Sequence, residues 1–203
     1  VPEETGPTGG PEGNARLTGM AAVVLLVLLA AEGLTILSVR SLLTPHVAIG
    51  MILVPVVLVK MGTTIWRMAS YYLGSPPYVA RGAPPLLLRL LGPVVVVLTV
   101  EVLASGVALL FVPSGWQDLT FLAHKAGFVL WFGAMTIHVL GHVLDTARLA
   151  PADLLRRTRA QVRGAGLRLW GLAAALGVGA VLAVVTVPAV APWIASYGGS
   201  HGG

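Results

Sequence analysis

The chain has no cysteine. That excludes disulfides, iron–sulfur ligation, thiolate ligation of a metal, and any cofactor tethered through Cys-x-x-Cys-His. Charge is almost as scarce: only 10% of the residues are Asp, Glu, Lys or Arg, against 56% hydrophobic, and the mean hydropathy is +0.88. A water-soluble domain could not cover its surface with so few charges. Acidic residues are the rarer sign, eight against thirteen Lys and Arg, which leaves a net charge of +5. The cations gather in two loops, the pattern of membrane-topology signals rather than of a nucleic-acid footprint.

Long apolar runs fill the rest. Five cover about residues 17–39, 46–69, 86–112, 119–147 and 169–187, and each is long enough to cross roughly 30 Å of hydrocarbon. The fold class expected is therefore all-α: a polytopic membrane protein with five transmembrane helices. Residues 1–14 (VPEETGPTGGPEGN) lack apolar periodicity and read as a disordered tail. They have neither the basic start nor the cleavage site of a secretory signal. The membrane domain is expected over 15–194, and residues 195–203 form a flexible tail. Thr44-Pro45 fits the start of the second helix. The stretch from Gly74 to Pro85 has too much Pro and Gly to be helical. Trp66, Tyr71, Tyr72 and Tyr78 form an interfacial aromatic belt. Gly171, Gly177 and Gly179 provide the small residues that let membrane helices approach closely. No internal repeat is evident.

Lys and Arg set the orientation. With a cytoplasmic amino terminus, ten of them (Arg16, Arg67, Arg81, Arg89, Arg148, Arg156, Arg157, Arg159, Arg163 and Arg168) lie inside, and two (Arg40 and Lys125) lie outside. Five spans then put the carboxy terminus outside.

The fourth run carries His124, His138 and His142, three of the five histidines. Ionisable side chains at membrane depth default to a functional reading. His124 and His138 are fourteen positions apart. That spacing returns both rings to one face of a helix, separated by roughly 21 Å. The second run begins with His46, and Lys60 stands fourteen positions beyond it. The second and fourth helices run in the same direction, so His46 and His124 lie at one depth near the outer surface, and Lys60 and His138 lie deeper. Two imidazoles on opposite sides of a plane are what a haem iron takes as axial ligands. With no cysteine in the chain, any haem is non-covalent and of b type.

This plan resembles the di-haem, four-helix cytochrome b family of quinone-linked oxidoreductases, whose second and fourth helices each bear two histidines at a similar spacing. The stretch HVAIGMILVPVVLVKMGTTIWRMASYYLGSPPY is also similar to small membrane cytochromes of actinobacteria. The resemblance implies that His46 and His124 ligate an outer haem b and His138 an inner one. It departs at Lys60, which stands where the family has its fourth histidine. Lys60 is a candidate fourth ligand, and His142, one turn beyond His138, is an alternative inner ligand or a contact for a propionate or quinone. Arg40 and Lys125 are candidate propionate partners on charge alone. The function implied is electron transfer between a quinone pool and an extracytoplasmic or membrane redox partner through one or two haems. Lacking a flavin or nicotinamide domain, the chain reads as an oxidoreductase subunit.

Each residue also has a plainer reading. His46 and His124 can be interfacial helix residues, His138 a helix-packing hydrogen bond, and Lys60 a side chain snorkelling to the surface. The glycines beside the histidines, Gly50, Gly127 and Gly141, suit either porphyrin approach or helix packing. Glu32 and Glu101 can take protons or bond a neighbouring helix, and neither is assigned a role. The rival function is a non-redox transport or assembly subunit that uses the histidines for proton or metal passage.

Overall fold

In hydrocarbon a backbone N–H or C=O finds no water, so a lone crossing segment must satisfy its own hydrogen bonds as a helix. The computed structural model of the chain describes residues 9–82 and 86–199 and follows that rule throughout, with no strand among the described residues. The helices are α1 (Gly10–Ile36), α2 (Leu43–Tyr72), α3 (Pro76–Ala80), α4 (Leu86–Leu109), α5 (Ser114–Leu149), α6 (Arg156–Arg159), α7 (Ala165–Thr186) and α8 (Ala191–Gly199). Five segments, built on α1, α2, α4, α5 and α7, are long and apolar enough to cross a membrane. The chain is an all-α, polytopic membrane protein.

The elements overrun several expected boundaries. α1 begins at Gly10, so Asn14 is helical and donates from Nδ2 to the Thr63 carbonyl at 3.0 Å. α5 starts at Ser114, five residues before the expected 119, so His124 stands about three turns into its helix. The segment after Gly74 holds the short helix α3, whose Pro76 and Pro77 sit in the first turn, where a missing N–H costs nothing. Tyr78 of α3 accepts a hydrogen bond from Trp66 Nε1 at 3.1 Å, joining two members of the aromatic belt. The tail expected at 195–203 is helical as far as Gly199. Residues 1–8, 83–85 and 200–203 lie outside the described residues.

Two hairpins and a fifth helix make the bundle. α1 packs on α2 and α4 on α5; α1 also touches α5, and α4 also touches α2. α2 and α5 therefore stand diagonally across from one another, pointing the same way. α7 docks on α1 and α2, where Met20, Ala21, Leu25, Leu53, Val56, Leu172 and Ala175 form the buried core. Of the three glycines expected to serve packing here, Gly179 does: a Cβ on it would lie 2.7 Å from Ile52 Cα. Gly171 and Gly177 face nothing within 4 Å.

The basic connection between α5 and α7 is not a free loop. Asp153, 0% exposed, accepts from Arg16 Nη1 at 3.1 Å and from Arg168 Nη2 at 2.8 Å, and Arg168 Nε also contacts its second oxygen. Each guanidinium also reaches backbone: Arg16 the Thr158 carbonyl and Arg168 the Arg163 carbonyl. Glu12 pairs with Arg16 and with Arg81, extending the cluster to the α3 segment. Arg16 and Arg168 are thus structural ions.

Breaking a buried ion pair by removing one partner leaves uncompensated charge and costs about 3–5 kcal/mol. Asp153→Ala is expected to lower unfolding stability by about that amount, measured by chemical denaturation in detergent. Arg157→Ala, at an exposed position, should shift it by less than about 0.5 kcal/mol.

Candidate functional site

The two hairpins repeat one local design. In each, the first helix carries a glutamate followed within one turn by a hydroxyl residue: Glu32 and Thr35 in α1, Glu101 and Ser105 in α4. Residues three or four apart share a helix face. The second helix of each hairpin carries a histidine and, within one turn, a glycine: His46 with Gly50, and His124 with Gly127.

His46 Nδ1 lies 2.8 Å from Thr35 Oγ1 and 3.1 Å from Glu32 Oε1. The Thr35 hydroxyl already donates its one hydrogen to the Glu32 carbonyl at 2.5 Å, so it can only accept from the ring. His46 therefore carries its proton on Nδ1. In α5, His124 Nδ1 lies 3.1 Å from the Val102 carbonyl and 3.1 Å from Ser105 Oγ. A carbonyl only accepts, so this ring is also protonated on Nδ1. Each Nε2 is left with a free lone pair, and neither makes a hydrogen bond among the described residues.

The two rings meet across the bundle. Their centroids are 6.5 Å apart and their planes cross at 81°. A metal ion bonded to one nitrogen of each ring at about 2 Å holds ring centres roughly 6 Å apart. An edge-to-face ring pair has the same separation, so the distance alone does not distinguish the two. Both rings are held through Nδ1, the arrangement in which a protein can offer Nε2 to a metal.

The surroundings are tight and acidic. The Glu101 carboxylate occupies the space where a side chain on Gly127 would begin, and a Cβ on Gly50 would lie 3.5 Å from Glu32 Oε1. A Cβ on Gly106 would meet His124 Cε1 at 3.0 Å, so a larger residue there would require the ring to shift. Glu32 Oε2 and Glu101 Oε2 are both buried with no hydrogen-bond partner. These two glutamate oxygens lie beside the two imidazoles, whose Nε2 lone pairs are free. A haem iron, which takes only two protein ligands, fits that donor set. Among the described residues, no three His, Asp or Glu side chains converge to hold a bare metal ion.

Deeper in the bundle the pairing changes. His138 and His142, one turn apart on α5, have ring centroids 4.8 Å apart at 57°. His138 Nδ1 is buried without a partner. Lys60, from α2, lies within electrostatic reach of both rings, and Arg67 within reach of His142. The inner position thus gathers donors from both diagonal helices but sets no second imidazole across from His138. Of the residues considered for propionates, Lys125 is exposed and its ammonium lies 5.3 Å from the Phe121 ring centre, while Arg40 lies in the turn between α1 and α2. Gly141 does not open a cleft, since a Cβ there would press on Leu88 of α4 at 2.6 Å.

Sequence reasoning paired His46 with His124 but missed Thr35, Ser105, Gly106 and the Val102 carbonyl, which orient them. The signal was present as a repeated glutamate and hydroxyl one turn apart, though nothing in one sequence ties them to a particular histidine. Comparison with family models, curated proteins and solved structures finds no match to this chain.

Nitrogen-15 NMR of histidine-labelled protein should report His46 and His124 as Nδ1–H tautomers. Gly106→Val should displace the His124 ring at an overpacking cost of about 1–3 kcal/mol. It should remove that signature at His124 and leave it at His46.

Proposed function

We propose that the chain is a membrane b-type cytochrome, an electron-transfer subunit in which His46 and His124 hold a haem from opposite sides. The observation that carries this reading is the matched pair of rings, each fixed through Nδ1 by an adjacent helix and each with Nε2 free. Thr35 and Glu32 orient one ligand; Ser105 and the Val102 carbonyl orient the other. The haem, when bound, supplies one-electron chemistry. The chain's own residues fix the ligand rings, and the side chains of Glu32 and Glu101 lie beside them.

The Lys and Arg distribution orients the protein with its amino terminus in the cytoplasm. His46 and His124 then lie toward the outer face, convenient for an extracytoplasmic redox partner, and Lys60, His138 and His142 toward the inner half. Those inner residues suit either of two roles. His138 and Lys60 can ligate a second haem, or the cluster can donate hydrogen bonds to the carbonyls of a membrane quinone. The unpartnered Nδ1 of His138 favours an inner site that receives a ligand over one that only packs helices.

A pyridine haemochrome assay with a redox difference spectrum on purified protein tests the reading. One haem b per chain is expected at the outer site, lost in His46→Ala and in His124→Ala and retained in Lys60→Ala. Two haems falling to one in Lys60→Ala would assign the inner ligand. A folded, colourless protein from a haem-replete host would overturn the cytochrome reading in favour of a transport or assembly subunit.

A further inference from the structure

The connection between α5 and α7 has two faces with different chemistry. Its inward face is the Asp153 clamp, which fixes the register of the segment against α1 and α7. Its outward face carries Leu154 and Leu155, 66% and 55% exposed, followed by the exposed Arg157, Arg159 and Arg163. Asp153 is the only acid between residues 146 and 168, and it is already engaged by two arginines. Arg157, Arg159 and Arg163 have no carboxylate partner among the described residues. A shallow concavity lies between Arg159 and Arg163.

Two spans end on this segment, so it sits at the edge of the hydrocarbon whichever way the protein is oriented. Exposed leucines beside unpaired arginines are the composition of an interfacial anchor: apolar side chains enter the acyl boundary and cations meet lipid phosphates. We propose that residues 154–163 form a rigid interfacial anchor that binds anionic phospholipid of the adjacent leaflet. Leu154 and Leu155 insert, and Arg157, Arg159 and Arg163 hold the headgroup phosphates. The clamp favours binding, because the arginines are presented from a fixed backbone rather than from a chain that must be ordered on contact. This inference is independent of any cofactor.

The test is native mass spectrometry of the full-length protein from mixed micelles containing phosphatidylglycerol or phosphatidylcholine. The parent should retain phosphatidylglycerol preferentially. Combining Arg157→Gln, Arg159→Gln and Arg163→Gln, all at exposed positions, should weaken that retention roughly tenfold or more. Retention of phosphatidylcholine and the melting temperature in phosphatidylcholine micelles should be unchanged. Leu154→Ser with Leu155→Ser should weaken retention of both lipids. Equal retention of the two lipids by the parent, or undiminished phosphatidylglycerol binding by the arginine variant, would overturn the proposal. Displacement of the lipid by millimolar inorganic phosphate would also overturn it, by reducing the surface to an anion site without membrane contact.

Discussion

A histidine inside a membrane bundle must have its ring N–H satisfied, and which neighbour satisfies it decides what the other nitrogen can do. Here α1 and α4 supply acceptors to Nδ1 of His46 and His124, and the rest of the site follows. The acceptors fix the tautomers, the tautomers leave Nε2 free, and the diagonal placement of α2 and α5 brings the rings within 6.5 Å. Were either Nδ1 left without its acceptor, the ring could turn or change tautomer, and its Nε2 would no longer be held free.

The two hairpins reach this arrangement by similar means with different details. His46 bonds a hydroxyl and a carboxylate, whereas His124 bonds a hydroxyl and a backbone carbonyl. The carboxylate of Glu101 is spent differently, pressed against Gly127 with one oxygen unpartnered. Buried polar groups without partners are rare in folded proteins and call for a reason. Among the described residues three occur, on Glu32, Glu101 and His138, each beside a histidine. Two of the unpaired atoms lie at the outer histidine pair and one at the inner pair.

The other end of the molecule shows the opposite economy. Arg16 and Arg168 look in the sequence like members of a basic topology signal. In the fold both also close onto one aspartate, 137 and 15 positions away in the chain. That clamp ties α1 to α7 and gives the exposed arginines between them a fixed backbone. One basic stretch therefore holds both structural ions and surface charge, and burial alone separates the two.

The sequence alone determined that the chain is helical and crosses a membrane five times. Continuous apolar runs leave the backbone no other way to satisfy itself in lipid, and run length and hydropathy are local quantities. It also determined that His46 and His124 share a depth and His124 and His138 share a face, because both follow from helical rise and span direction. The helix ends were less legible: the extension of α5 back to Ser114, and the turn of α3 within a Pro-rich segment, depend on capping and packing that composition does not record. Only the tertiary structure decided that α2 stands across from α5, and that Thr35, Ser105 and the Val102 carbonyl reach the histidines. Lipid-facing and bundle-facing helix surfaces are equally apolar, so hydropathy carries no trace of which helix packs against which. The choice is made by small residues such as Gly106 and Gly179 and by a few polar contacts, and those come together only when the helices do.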